Sequence, residues 1–179
     1  MTSGSESLLA ARQMSAVDVA TTLGEVGSRG TDGVERAALT AALLSSFTPA
    51  DASLIRELTR REIVAVRDAD SGCGDVLLAC CWLLFMLGHL EDAALVWSAK
   101  TVNFDAHCYI DSVFLIPQGA EATAEFARSE GLSDLVDWVG GEWMRDTKDA
   151  GQMWRSGSFF APVPPASASV AELSTWIRQ

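Results

Sequence analysis

The residues of this chain whose types and spacing could support catalysis lie in one short segment, NFDAHCYID. They are Asp105, His107, Cys108 and Asp111. Residues three or four apart share a helix face, so Asp105 would lie beside Cys108, with Asp111 one turn further on. A carboxylate can orient a histidine and raise its basicity, and a basic histidine can increase the thiolate fraction of a nearby cysteine. The spacing therefore raises an enzyme hypothesis: a small hydrolase, transferase or cyclase with a cysteine–histidine site.

A structural interpretation of the same four residues competes with the enzyme hypothesis. In it, Asp105 caps the helix, His107 is exposed, Cys108 packs in the core and Asp111 pairs with an arginine. A metal site is weaker still, because the sequence has no paired C-x-x-C or Cys/His spacing of the kind that holds zinc. No glycine-rich phosphate loop occurs either. The sequence favours the structural interpretation and predicts no metal ion and no cofactor.

The negative charge of the chain is concentrated in one segment. The formal net charge is −11 at pH 7, and residues 111–149 contribute −6 of it through nine acidic and three basic residues. This charge repels nucleic-acid phosphates and anionic lipid headgroups, so we predict neither nucleic acid nor a membrane as partner. The acidic residues either keep the protein soluble or form a surface for a basic protein. The candidate contacts for such a partner are Glu121, Glu125, Asp134 and Asp137.

A second candidate for partner binding is the aromatic segment near the C-terminus, where Trp154, Phe159 and Phe160 interrupt a stretch of glycine and serine. Large aromatic side chains dominate protein interfaces and protein cores alike. The segment therefore contacts a partner or forms a strap that closes the core, and we favour the strap. A helical core could also hold a small apolar molecule, although no residue pattern specifies one.

These residues must be positioned by the hydrophobic hairpin Asp75–Lys100. Its first helix is apolar on nearly every face, which at this length indicates burial between other helices. Gly88 ends that helix, because glycine readily adopts the left-handed conformation that closes a helix. Glu91 and Asp92 then open the partner helix at the positive end of its dipole. The sequence therefore predicts an antiparallel αα-hairpin at the centre of the fold.

Part of this hairpin, LGHLEDAALVWSAK, resembles the second half of a tetratricopeptide repeat. Gly88 stands at the turn, Ala93 and Trp97 match in type and spacing, and Lys100 replaces a small residue. The resemblance covers Asp75–Asp105, one repeat of about 34 residues, and no second copy follows at that period, so a stack of repeats is not expected. It implies a helical hairpin whose usual peptide-binding face is covered here by another helix of the same domain.

Start and stop signals predict further helices on both sides of the hairpin. Two capping boxes, Thr48 with Asp51 and Ser169 with Glu172, mark helix starts. The remaining predicted helices are Ser15–Val26, Asp32–Phe47, Phe104–Leu115, Gly119–Ser129 and Ser133–Met144, the last with an end or bend at Gly140 and Gly141. No alternating run of strand length occurs, so we predict an all-α fold of about seven helices around the hairpin.

The predicted domain organisation is a loose segment over residues 1–14 and one all-α domain over 15–179, with a Pro/Ala/Ser spacer at 162–168 before a C-terminal helix. Glu6 lies where a signal peptide would carry basic residues, and no charge-free apolar run reaches about 18 residues. We therefore predict a cytoplasmic protein. The combined prediction is a non-enzymatic protein-binding module, of the inhibitor, immunity or adaptor type, with the enzyme and the apolar-ligand binder as alternatives.

Overall fold

A computed structural model describes residues 32–68, 73–144, 147–156, 163–165 and 167–177, together with Glu6, Leu9, Ala10 and Arg12. Within these residues the chain forms nine α-helices and no strand, which confirms the predicted all-α class. The helices are α1 (Asp32–Ser46), α2 (Ala52–Asp68), α3 (Asp75–Leu87), α4 (Asp92–Lys100), α5 (Phe104–Tyr109), α6 (Ala120–Ser129), α7 (Ser133–Val139), α8 (Thr147–Ser156) and α9 (Val170–Ile177). Short 3-10 helices cover Pro49–Asp51, Ser112–Leu115 and Glu142–Met144. The predicted helix Ser15–Val26 lies outside the described residues.

The centre of the domain is α3. Every residue from Asp75 to Phe85 is buried, and α1, α2, α4 and α9 all pack against this helix. Gly88 ends α3 with a left-handed φ of 77°, and its N–H donates to the Leu84 carbonyl at 3.2 Å. The hairpin of α3 and α4 is therefore confirmed, and the face that would line a peptide groove is covered, as predicted.

Ion pairs connect α2 and the turn before it to neighbouring segments. Glu62 on α2 is only 6% exposed and accepts a hydrogen bond from Arg36 on α1. Arg56 Nε donates to Asp92 Oδ1 on α4 at 2.6 Å. Arg12 Nε donates to Asp51 Oδ1 at 2.8 Å. Three arginines of the first half of the chain thus pair with carboxylates of other segments.

The predicted helix Phe104–Leu115 is wrong in its length. It is divided into α5 and the 3-10 helix Ser112–Leu115, with extended backbone at Ile110 (φ −76°, ψ 119°) between them. The break coincides with two hydrogen bonds from Lys100 Nζ, which donates to the carbonyls of His107 and Ile110 at 2.6 Å each. Carbonyls held by the ammonium group satisfy their hydrogen bonding without helix continuation.

Both predicted capping boxes are present. The Thr48 N–H donates to Asp51 Oδ2 at 2.7 Å, and the Ser169 N–H donates to Glu172 Oε2 at 2.7 Å. The second box opens α9, which packs against α1 and α3 and buries Trp176. Among the described residues, no helix is long and apolar enough to cross a membrane.

Candidate functional site

The four candidate catalytic residues lie on α5 and directly after it. This six-residue helix is capped by Asn103, whose Oδ1 accepts a hydrogen bond from the Ala106 N–H at 2.7 Å. A cap residue must precede the first helical residue with an extended backbone, and Asp105 already lies inside the helix. The interpretation of Asp105 as the cap is therefore wrong, and its side chain is exposed to solvent.

His107 is half-buried, not exposed as the structural interpretation expected. Its ring packs edge-on against Trp138 of α7, with the ring centroids 4.8 Å apart. In the part of the chain that the structure describes, the imidazole forms no hydrogen bond with a carboxylate or a thiol. The orienting carboxylate that the enzyme hypothesis requires is therefore not in place on this histidine.

Cys108 is exposed, so its assignment to the core is wrong. Successive residues of a helix are about 100° apart, which places Cys108 nearly opposite the buried Ala106. The other three thiols, those of Cys73, Cys80 and Cys81, are buried. Burial raises the pKa of the Cys73 and Cys80 thiols to about 12 and that of Cys81 well above its usual value.

This contrast predicts that one thiol in four reacts in the folded protein. We expect Cys108 to react with Ellman's reagent at least about a hundredfold faster than the buried thiols, because the attacking thiolate must be both formed and accessible. The rate is followed by absorbance, and Cys108→Ser is the comparison. Denaturant then exposes the remaining three thiols to the reagent. A fast phase that survives in Cys108→Ser would contradict this assignment.

Asp111 has a structural role, but its partner is not the one that the sequence predicted. Its Oδ1 accepts from the Val113 N–H at 3.0 Å and so caps the following 3-10 helix. Its Oδ2 accepts from Trp154 Nε1 of α8 at 2.8 Å. Asp111 therefore bonds to an indole where an arginine was expected, and both carboxylate oxygens connect chain segments.

Lys100 is the residue of this region that sequence reasoning missed. It is 3% exposed, and its ammonium group lies 5.5 Å from the Trp138 ring centroid while it donates to two carbonyls beyond α4. Burial lowers the pKa of Lys100. The sequence feature that could have identified it is a lysine at a position where a tetratricopeptide repeat has a small residue. Its two hydrogen bonds join the end of α4 to the carbonyls of His107 and Ile110.

Trp154 belongs to the packed interior of the domain. Its carbonyl accepts from Trp82 Nε1 at 3.2 Å, and its ring meets Phe114 edge-on with centroids 5.0 Å apart. These contacts favour the strap interpretation for Trp154. Phe159 and Phe160 lie outside the described residues.

The four acidic candidates occupy two helices that pack against each other. Glu121 and Glu125 lie on α6, Asp134 and Asp137 lie on α7, and all four are exposed. The helices turn small and apolar side chains inward; these are Thr123, Ala124, Ala127, Leu135 and Val139. Within the described ranges, no ion pair joins any of the four carboxylates to a basic side chain.

No group of three or more His, Cys, Asp or Glu side chains in the described residues could hold a metal ion. No protein-family model, curated protein or solved structure matches this chain. The resemblance of Asp75–Asp105 to one tetratricopeptide repeat therefore stays a prediction.

Proposed function

We propose that this protein is a non-enzymatic, cytoplasmic protein-binding module of the inhibitor, immunity or adaptor type. Its binding site is the acidic surface, defined as Glu121, Glu125, Asp134 and Asp137, and its partner is a basic protein. The observation that carries the proposal is that these four carboxylates are exposed on two packed helices and, within the described residues, form no ion pair. The absence of disulfides among the four cysteines supports a reducing compartment.

The use of charge elsewhere in the domain supports a specific role for this surface. Asp51, Glu62 and Asp92 each pair with an arginine, whereas the four carboxylates of the acidic surface pair with no basic side chain among the residues that the structure describes.

The positions of the candidate catalytic residues support binding over the enzyme alternative. His107 packs on Trp138, Asp111 bonds to Trp154, and Cys108 is exposed on another face of α5 from Ala106. A nucleophile and its base need to come within about 2.6–3.2 Å, directly or on substrate binding. The contacts that fix His107 and Asp111 serve packing instead.

The proposal is tested by charge reversal in matched pairs. We expect Glu121→Lys with Glu125→Lys, and separately Asp134→Lys with Asp137→Lys, to slow association with the partner at least about tenfold, because complementary charge mainly accelerates encounter. The partner is recovered from a lysate of the source organism, purified, and its association rate measured by surface plasmon resonance.

The matched control reverses the charges of Glu35 and Asp68, which are exposed on α1 and α2. It changes the net charge by the same amount as each of the other two double variants. We expect this variant to associate within about twofold of the unmodified protein. Raising the ionic strength from about 0.05 to 0.5 M should slow the unmodified protein and the control, but have much less effect on the two α6 and α7 variants. Equal slowing by all three double reversals would show that only net charge matters.

A further inference from the structure

An open pocket of about 600 Å³ lies beside the loop before α6, where α8 approaches the core. Small-molecule sites typically enclose about 300–1,000 Å³ and combine apolar walls with a few polar groups. The walls here are mostly apolar and include Val113, Ile116, Pro117 and Ala120. One charged side chain lines the pocket, that of Arg155. The pocket thus has the composition of a site for a molecule with an apolar body and one polar end.

The guanidinium group of Arg155 is held in place by two contacts. It lies over the Phe85 ring, 4.2 Å from the centroid, and its Nη2 donates to the Pro117 carbonyl at 2.6 Å. The hydrogen bond uses one of five N–H donors, and the residue is exposed to solvent. A fixed guanidinium with donors to spare binds an anion at low entropic cost.

Arg155 differs from the arginines that tie the first half of the domain together. Arg12, Arg36 and Arg56 each bond to a carboxylate, whereas Arg155 forms no ion pair with any carboxylate in the described part of the chain. The chain has 24 acidic residues against 13 lysines and arginines, so internal partners are plentiful. An arginine that is held in place at a pocket and pairs with no carboxylate of the described residues is complementary to the carboxylate of a bound molecule.

We infer that this pocket binds a small organic carboxylate with an apolar body, independently of the acidic surface. The carboxylate accepts from the free donors of Arg155, and the body lies against Ile116, Pro117 and Ala120. Arginine matches a carboxylate through two parallel N–H···O bonds. A single arginine in a chain of net charge −11 favours a monoanion over a phosphate dianion.

The test compares two acids with their neutral counterparts. 4-Phenylbutanoate and octanoate are titrated into the full chain by calorimetry, beside 4-phenylbutanamide and octanamide. We expect at least one acid to bind at least about tenfold more tightly than its amide, since hydrogen bonds to charged groups are the stronger ones. Arg155→Gln should remove this preference. Arg128→Gln, a matched change in the last turn of α6, should retain it.

A second variant protects the test against misfolding of α8. Ala120→Trp fills the pocket from the start of α6 while Arg155 is retained, and should abolish binding of acids and amides alike. Circular dichroism and thermal melting verify that each variant is folded. The inference is overturned if neither acid binds, if acid and amide bind equally, or if binding survives in Ala120→Trp. Competition by inorganic phosphate at concentrations equal to those of the acid would also overturn it, in favour of an anion site of another kind.

Discussion

Replacing Glu62 with alanine is expected to destabilise the domain by about 3–5 kcal/mol, because it leaves the largely buried guanidinium group of Arg36 without its carboxylate partner. Glu62 is 6% exposed, and the side chain of Arg36, its partner on α1, is 15% exposed. The pair connects two helices that both pack against α3. Urea denaturation followed by circular dichroism gives the free energy of unfolding of the unmodified protein and the variant.

Two controls separate the buried charge from other effects. The double variant Arg36→Met with Glu62→Leu should return to within about 1 kcal/mol of the unmodified protein, since apolar residues often replace a buried ion pair without loss. Glu57→Ala removes another carboxylate of α2, one that pairs with the more exposed Arg60 and Arg61. This change should lower the free energy of unfolding by about 0.5 kcal/mol or less. Equal costs for Glu62→Ala and Glu57→Ala would show that the Arg36 pair is solvated.

Phe114→Ala is expected to cost about 3–5 kcal/mol, because a large buried ring leaves a cavity that the surrounding helices fill only in part. Phe114 is 1% exposed, and its ring centroid lies 5.5 Å from that of Phe85 and 5.0 Å from that of Trp154. It therefore joins the 3-10 helix Ser112–Leu115 to both α3 and α8. The change is measured by guanidinium denaturation monitored by tryptophan fluorescence.

Phe104→Ala provides the matched control for this prediction, since the same chemical change is made at a side chain that is 79% exposed. Its effect on the free energy of unfolding should lie within about 0.5 kcal/mol of zero. If Phe104→Ala proved as costly as Phe114→Ala, α5 would have to pack more deeply against the domain than its exposure indicates.

The central part of the fold was predictable because its signals are local. A helix apolar on nearly all faces has to be buried, and Gly88 closes it by a conformation that other residues rarely adopt. The capping boxes at Thr48 and Ser169 each depend on residues only three positions apart. Such features depend on residues that are close in the sequence, so they can be predicted without knowledge of distant contacts.

The candidate site was less predictable because distant residues decide it. The end of α5 follows hydrogen bonds from Lys100, and the partner of Asp111 is an indole 43 positions along the chain. Glu62, in the polar run RRE, is buried and pairs with Arg36 of another helix. Helical periodicity locates a face, but it does not tell which distant side chain covers that face or pairs with a charge on it.

The enclosure of α3 has a consequence for the synthesis of the protein. One of the helices that cover it, α9, ends at Ile177, about 90 residues after Leu87. At a translation rate of roughly 5–20 residues per second, the nascent chain carries this apolar helix incompletely covered for roughly 5–20 s. During that interval α3 is a surface that chaperones bind and that other nascent chains can aggregate with. The helix that the finished domain buries along most of its length is therefore an exposed apolar surface while the domain is being made.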